Sequence, residues 1–238
     1  MRALGDRRFR ACDPPRGRRD RRPPRLIAWL PVAALWLLGC SPVAPVTVDP
    51  SLPSTQDALR QLDVLPSHRT DYYVVTDPYH RSYFGEPWWD ADNNGRGTRD
   101  DVLAAQLRDV VLNRDGDVAS GAFVDPYTGL EVEYVRGRDE EDPVVVDHVV
   151  SLWEAWATGA WAWTQDQRLA FANDPLNLVA TTYAVNETKG PQNAARWHPT
   201  ARQQECEFAL RVVATKAKYN LEVHDNDRTY LQQVLSQC

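Results

Sequence analysis

Cysteine is scarce in this chain of 238 residues, which contains only four: Cys12, Cys40, Cys206 and Cys238. Structural zinc sites need several cysteine or histidine ligands at short, clustered spacings. These four positions are not clustered, so a zinc site built from them is excluded. What the cysteines do instead depends on the compartment that the chain reaches.

Long apolar runs are also missing after Cys40, where no stretch approaches the roughly 20 residues that a helix needs to cross a bilayer. The run Leu26–Leu38 follows an arginine-rich stretch and is short for a membrane span. It ends in Leu37-Leu38-Gly39-Cys40, which resembles the lipobox of bacterial lipoproteins. The pattern predicts a signal peptide over residues 1–39, acylation of Cys40 and an anchor on the outer side of the membrane. The alternatives are an ordinary signal peptide with secretion, or an uncleaved anchor.

Positive charge is scarce in the part of the chain that remains after such a cleavage. The whole chain has 27 Lys and Arg against 33 Asp and Glu, a net charge of −6. Residues 1–39 hold ten of the arginines and three of the aspartates, which leaves 17 basic and 30 acidic residues, a net charge of −13. Such a body lacks the basic face of a sequence-specific nucleic-acid binder. A nucleic-acid substrate would be bound locally, weakly and in a salt-sensitive way.

With Cys12 removed and Cys40 acylated, Cys206 and Cys238 remain as an even pair in an oxidising compartment. We predict a disulfide between them, which would tie the end of the chain to a helix that begins near Ala201. Two free thiols are the alternative.

Four polar residues form the strongest chemical pattern in the chain: Asp147, His148, Asn177 and Asn186. Hydrolysis of a phosphodiester needs a deprotonated water and a cation that holds the charge accumulating on the phosphate. His148 can accept the proton of that water, because the unperturbed pKa of histidine, about 6.5, lies near neutral pH. Asp147 and Asn186 offer hard oxygen ligands suited to Mg²⁺, with Mn²⁺ as the alternative. Asn177 can hold the imidazole by its second nitrogen.

The residues around this pattern predict a strand, a second strand and a short helix. The first strand is expected at Val144–Val146 and the second at Leu176–Ala180. The helix is expected over Thr182–Lys189, with Thr181 or Thr182 as its N-cap.

At these positions the sequence resembles the HNH, or ββα-metal, nucleases, in which one strand carries Asp-His and a short helix carries the last metal ligand. It is most similar to the C-terminal HNH domain of GmrSD-type restriction enzymes and to small secreted bacterial proteins that carry this domain alone. The resemblance covers residues 71–238, with the motif core at 143–190. The shared phrases are Phe84-Gly85-Glu86-Pro87-Trp88-Trp89-Asp90-Ala91-Asp92, Asp125-Pro126-Tyr127-Thr128-Gly129, Asp147-His148-Val149-Val150, Asn173-Asp174-Pro175-Leu176-Asn177-Leu178 and Lys216-Ala217-Lys218-Tyr219.

The rest of the chain predicts one helix-dominated α+β domain after a flexible tether over residues 40–70, which includes a short helix near Thr55–Leu62. A β-hairpin is expected around the turn at Asp125–Gly129. The tryptophans of residues 152–172 are expected to pack in the core. Further helices are predicted over 101–110, 152–172, 201–219 and 227–236.

Lys189 is a candidate for binding the substrate phosphate, with a solvated surface lysine as the alternative, and Arg99, Arg136, Arg196 and Arg202 are weaker candidates of the same kind. Lys189 follows Asn186 by three residues, so one helical face can present both side chains. Arg99 follows Asp90–Gly95, which has the residue pattern of the start of an EF-hand calcium loop. We interpret this segment as a turn that delivers Arg99 towards the cleft, with calcium binding as the alternative.

These observations predict an exported, membrane-anchored, metal-dependent endonuclease that cleaves DNA without sequence specificity. No protein partner is indicated. The alternative, favoured by the acidic body, is a non-catalytic surface lipoprotein that uses the same unit as a scaffold or to bind calcium or a partner.

Overall fold

The computed structural model describes residues 49–68, 78–137 and 144–238. The predicted signal peptide of residues 1–39, the acylation site Cys40 and the first part of the predicted tether lie outside these residues. All described residues fall in one unit, Val46–Cys238. Within them, no helix is long and apolar enough to span a membrane.

The described residues form an α+β fold in which helices predominate. Their α-helices are α1 (Thr55–Val64), α2 (Thr98–Gln106), α3 (Leu152–Ala157), α4 (Gln165–Ala172), α5 (Tyr183–Lys189), α6 (Arg202–Tyr219) and α7 (Asp225–Leu235). Their strands are β1 (Ser67–His68), β2 (Arg108–Leu112), β3 (Val118–Val124), β4 (Glu131–Val135), β5 (Val144–His148), β6 (Leu178–Thr182) and β7 (Val223–His224). Short 3-10 helices lie at Arg81–Phe84, Ala160–Ala162 and Pro175–Asn177.

The strands form three small sheets. Antiparallel β2, β3 and β4 make one sheet, antiparallel β5 and β6 a second, and β1 and β7 a parallel pair. The predicted hairpin at the Asp125–Gly129 turn is confirmed as β3 and β4. The helix predicted over residues 101–110 is too long, because α2 ends at Gln106 and the next residues form β2. This segment contains Val110 and Val111, and β-branched residues favour a strand when a partner such as β3 is available.

The predicted strand, strand and helix around Asp147 are all present, with shifted ends. Val144 of β5 pairs with Thr182 of β6, and His148 pairs with Leu178. The second strand begins later than predicted because Pro175–Asn177 forms a 3-10 helix first. Helix α5 follows β6 without a loop, which brings it back beside β5.

Helix α2 covers this two-stranded sheet and closes one of its edges. Its Val102 and Leu103 pack in one cluster with Val146 and Ala180. The side-chain amide of Gln106 donates to the Leu178 carbonyl at 2.8 Å, and its oxygen accepts from the Ala180 N–H at 2.8 Å. An edge strand with satisfied backbone groups does not recruit a further strand.

A larger apolar core lies among α1, α3, α6 and α7. Ala58 and Leu62 of α1 are fully buried in it, so the part of the predicted tether that the structure describes belongs to the folded domain. The tryptophan prediction holds for Trp156, which is 5% exposed, but Trp161 is 55% exposed. The predicted helix over residues 152–172 is divided into α3, a 3-10 helix and α4.

The predicted disulfide is present between Cys206 on α6 and Cys238 at the end of the chain. The two cysteines are 32 residues apart. Closing a loop of this size contributes about 4 kcal/mol in the chain-entropy account of disulfide stabilisation. The bond therefore ties α7, which lies inside the loop, to the core helix α6.

Three charged side chains meet inside the larger core. Lys216 on α6 forms an ion pair with Glu154 on α3, at 2.7 Å between Nζ and Oε1. Asp227 on α7 is fully buried nearby and accepts a hydrogen bond from the Ala195 N–H at 2.8 Å. Burial, followed by the charge of Glu154, raises the pKa of Asp227 to about 7 from the ordinary 3.8. One lysine thus faces two carboxyl groups, which favours a proton on Asp227 at mildly acidic pH.

Stability should fall as this proton is lost. Between about pH 4 and pH 7 the folded protein keeps a proton that the unfolded chain has released, so the contribution of Asp227 to the free energy of unfolding decreases as the pH rises. The isosteric Asp227→Asn should therefore melt higher than the wild type at pH 8 by at least about 3 °C, or ~1 kcal/mol for a domain of this size. At pH 4 the difference should be smaller. Thermal melts from pH 4 to pH 8 measure it.

The exposed Asp225 at the start of α7 supplies the matched control. Asp225→Asn removes the same charge from the same helix and should show no such growth with pH. Equal pH dependence in the two variants would contradict the assignment of the raised pKa to Asp227.

Candidate active site

Asp147 lies at the end of β5, and two buried side chains hold its carboxylate. Its Oδ2 accepts a hydrogen bond from the Tyr127 hydroxyl at 2.7 Å and lies 2.9 Å from Nζ of Lys189. Lys189 is 1% exposed, and its ammonium also donates to the His148 carbonyl at 2.8 Å. Both carboxylate contacts fall on Oδ2, and no hydrogen bond from the described residues reaches Oδ1. One oxygen is thus fixed while the other keeps its lone pairs.

Tyr127 reaches Asp147 because the β3–β4 turn is attached to the end of β6. The fully buried Asp125 accepts from the Tyr127 N–H at 2.8 Å, and its other oxygen accepts from the Thr181 hydroxyl at 2.7 Å and from the Thr182 N–H at 3.1 Å. Burial, together with the charge of Asp147, raises the pKa of Tyr127 well above its usual range. The phenol therefore stays protonated and acts as a donor.

His148 is the last residue of β5 and is 7% exposed. Its Nε2 lies 2.8 Å from the Ala172 carbonyl. Since a carbonyl oxygen only accepts, Nε2 carries the hydrogen and Nδ1 keeps its lone pair. The indole of Trp88 stacks over the ring, with centroids 6.1 Å apart and planes 13° from parallel.

Burial lowers the pKa of His148 to about 4. The hydrogen bond to the Ala172 carbonyl and the charge of Asp147 oppose this shift, whereas the charges of Arg81 and Lys189 add to it. The ring is therefore neutral at neutral pH, whereas an unperturbed histidine, with a pKa of about 6.5, would be partly protonated there. It can accept a proton over a wider pH range than the sequence indicated.

Asn177 does not bind the imidazole as predicted. Its side-chain oxygen accepts from the Val150 N–H at 2.8 Å, and its amide donates to the Val150 carbonyl at 3.1 Å. Its own carbonyl accepts from the Val149 N–H at 2.8 Å. Asn177 thus fixes the backbone that follows His148, and the ring is oriented by the Ala172 carbonyl instead.

Asn186 lies on α5, partly exposed, three residues before the buried Lys189. It can offer one neutral oxygen, and Asp147 can offer Oδ1. Among the described residues no three His, Cys, Asp or Glu side chains group so that they could hold a metal ion. This donor set fits a hard cation such as Mg²⁺, which keeps several waters and takes few protein ligands. The ammonium beside Asp147 weakens its attraction for any cation.

Comparison with known proteins identifies the family. The family model for the C-terminal domain of GmrSD restriction endonucleases matches residues 97–234. The chain belongs to this family. An uncharacterized secreted protein of Arthroderma benhamiae is 32% identical over 200 residues, which covers 82% of this chain and 91% of that protein. No solved structure matches the chain.

The predicted phosphate contacts Lys189 and Arg99 have other partners in this GmrSD-type domain. Lys189 is enclosed and neutralised by Asp147, so it is not a solvated phosphate contact. Arg99 donates to the Val144 carbonyl at 3.1 Å and lies over the Tyr134 ring. Val144 begins β5 and His148 ends it, which separates them by roughly 13 Å at the usual rise of a strand. The turn before α2 therefore does not deliver Arg99 to His148.

The turn itself is well bonded. The Asp90 carboxylate accepts from the Asn94 and Gly95 N–H groups at 3.1 and 2.9 Å. The Asn94 amide bridges Asp92 and Asp101 at 2.9 and 2.8 Å. These are bonds of a closed turn, and the calcium alternative receives no support from them.

Sequence reasoning missed three residues of the GmrSD-type site. Tyr127 belongs to a predicted turn and Trp88 to a shared phrase, and neither position indicates a chemical role. No pattern in the sequence singles out Arg81, which lines a small cavity together with His148 and Trp88. The sequence offered no signal for these contacts beyond the shared phrases, because each residue lies in a different segment from the Asp-His pair.

The burial of Lys189 has a measurable consequence. Lys189→Met removes the only cation paired with the buried Asp147 among the described residues, so it should lower the free energy of unfolding by about 3–5 kcal/mol. A solvated surface lysine would cost about 0.5 kcal/mol or less. Urea denaturation, with tryptophan fluorescence as the probe, measures the difference. If the free energy of unfolding falls by less than about 1 kcal/mol, the effect is that of a surface residue. Lys189 would then be solvated, as the phosphate contact predicted from the sequence requires.

Proposed function

We propose that the GmrSD-type domain of this chain hydrolyses the phosphodiester bonds of DNA with the help of a divalent metal ion. The observation that carries the proposal is the placement of Asp147 beside His148 at the end of β5. Asp147 keeps one carboxylate oxygen without a partner among the described residues, and His148 keeps one imidazole nitrogen with a lone pair. The family to which the chain belongs supports the same reaction class.

His148 would act as the general base. Its Nε2–H is held by the Ala172 carbonyl, so Nδ1 is the nitrogen that can take a proton from an attacking water. Because burial lowers its pKa, the ring needs no deprotonation step at neutral pH. The lowered pKa also makes His148 a weaker base, so the substrate phosphate must be activated by a cation.

Asp147 and Asn186 would hold that cation, with Mg²⁺ favoured and Mn²⁺ as the alternative. When bound, the metal ion would offset the charge that develops on the phosphate and on the leaving oxygen. Tyr127 and Lys189 keep the Asp147 carboxylate in one orientation, so its Oδ1 needs no rearrangement. Because Lys189 neutralises much of the charge of Asp147, we expect metal binding to be weak.

DNA is favoured as the substrate by the family, and binding should lack sequence specificity. Residues 40–238 carry a net charge of −13, with 17 basic and 30 acidic residues. The contacts that hold the phosphate backbone must then be few and local, and cleavage should decline as salt concentration rises.

A plasmid-nicking assay with Mg²⁺ or Mn²⁺, and with EDTA as the metal-free control, tests the activity. His148→Ala should reduce the nicking rate at least ~100-fold, the lower range for removal of a positioned base. Metal affinity should stay nearly unchanged. Asp147→Asn should reduce both cleavage and metal affinity, because it replaces a carboxylate with an amide.

His198→Ala provides the matched control, because His198 lies against Tyr230 of α7 in a loop after α5. It should cleave at the wild-type rate. Wild-type cleavage that survives in His148→Ala would refute the assignment of His148 as the general base.

A second candidate function is a non-catalytic scaffold. It is favoured by the ion pair that already neutralises Asp147 and by the indole that covers His148. Absence of nicking with either metal, in a protein that melts cooperatively, would support it.

We further propose that the chain is exported and acylated at Cys40. The apolar run Leu26–Leu38 with the Leu37-Leu38-Gly39-Cys40 sequence supports this, and the relative from Arthroderma benhamiae is described as secreted. In a bacterial host that processes lipoproteins, Cys40→Ala should block processing or move most of the protein from the membrane fraction to the soluble fraction. Fractionation followed by mass spectrometry of the N-terminus measures both. Unchanged membrane association of the variant would indicate an uncleaved anchor instead.

A further inference from the structure

Besides the metal ion, a nuclease site of this kind needs a cationic side chain that binds the substrate phosphate. Lys189 and Arg99, which the sequence suggested, do not supply it. Lys189 is buried and paired with Asp147, and Arg99 lies at the other end of β5. Most other cations among the described residues are paired with carboxylates, as in Arg96 with Asp101, Arg136 with Asp100, Arg202 with Glu205, Arg211 with Asp49, Lys216 with Glu154 and Lys218 with Asp174.

Arg81 is an exception beside His148. It opens the 3-10 helix Arg81–Phe84 and is exposed. It lines the same cavity as His148 and Trp88, with a volume of about 20 Å³. A cavity of this size has room for one water molecule. The guanidinium is also close enough for its charge to lower the pKa of His148.

The short helix that carries Arg81 is attached to the larger apolar core and to α4. Phe84 is 2% exposed and packs in the larger apolar core. The Tyr83 carbonyl accepts from Nε of Arg168 on α4 at 2.9 Å. Gly85 has a φ of 84°, and a Cβ there would come within 2.7 Å of Leu169. The left-handed backbone at Gly85 favours glycine, and the contacts of Phe84 and Tyr83 place the short helix against α4.

The charge of Arg81 is available to a ligand. Among the described residues no carboxylate forms an ion pair with it, and its phenol neighbour Tyr79 is neutral at pH 7. Glu86 lines the same cavity without pairing with Arg81. The planar, forked donors of the Arg81 guanidinium match the oxygens of a phosphate.

We propose that Arg81 binds the phosphate group of the DNA backbone that is presented to His148. This assignment rests on the proposed nuclease function and names the residue that contacts its substrate. Arg81 precedes residues 97–234, the part that matches the family model. The segment that contains Arg81 and Trp88 would thus complete the substrate site from outside the matched residues.

Binding of a fluorescein-labelled DNA duplex to the full protein in EDTA, followed by anisotropy, tests the contact without turnover. Arg81→Ala should raise the Kd at least about tenfold, because a charge-assisted, bidentate contact is lost. It should also reduce the slope of log Kd against log salt by about one. Arg81→Lys should lie between the two, since an ammonium keeps the charge but loses the fork.

Arg114→Ala is the matched control. Arg114 is exposed in the β2–β3 turn, at the opposite end of β3 from the turn that carries Tyr127, roughly 20 Å away along the strand. It removes the same charge and should change the Kd less than about twofold. Equal effects of Arg81→Ala and Arg114→Ala would overturn the proposal, as would a wild-type protein that does not bind DNA.

The nicking assay separates this outcome from the fate of the nuclease function. Wild-type cleavage with an unaffected Arg81→Ala would overturn the Arg81 contact and leave the nuclease standing. If DNA binding depends on Arg81 but the wild type cleaves with neither Mg²⁺ nor Mn²⁺, the result would support the Arg81 contact and refute the nuclease function.

Discussion

The buried carboxylate of Asp147 is the group on which the rest of the candidate site depends. Lys189 comes from α5 and Tyr127 from the β3–β4 turn, so one side chain at the end of β5 joins three separate segments. A charge in a dry environment is tolerated only with a counter-charge and satisfied hydrogen bonds, and both are present. The same ammonium binds the His148 carbonyl, so the backbone of the candidate base is fixed by the same contact.

Dry surroundings also decide the chemistry of His148. The indole of Trp88 covers the ring, and burial lowers its pKa to about 4. The residue is thereby kept neutral, and its tautomer is set by one backbone carbonyl. Trp88 itself has a φ of 56°, in the left-handed region that bulky residues seldom adopt. Gly97 lies against its carbonyl, where a Cβ would come within 2.6 Å. Backbone strain of this kind tends to be kept where it positions a functional group.

Local patterns predicted the elements that carry the site. Three consecutive valines before Asp147 indicated β5, and the turn residues at Asp125–Gly129 indicated the hairpin. The residues around Asp147, Asn177 and Asn186 indicated a strand, a second strand and a helix. These elements occur in that order, but Asn177 lies in the 3-10 helix before the second strand. The end of α2 was missed because Val110 satisfies the helical spacing set by Leu103 and Leu107 and also fits a strand, and only pairing with β3 decides between the two.

The sequence by itself determined which residue types are available for phosphodiester chemistry, the family of the domain and the pairing of Cys206 with Cys238, because these depend on residue identity, order and parity. Only the tertiary structure decided what each side chain touches. It paired Lys189 with Asp147, gave Asn177 the backbone of Val150, and placed Arg81 beside His148. The physical reason is that ion pairs, desolvation and shared cavities are set by distances between segments far apart in the chain. No local pattern of residues encodes those distances.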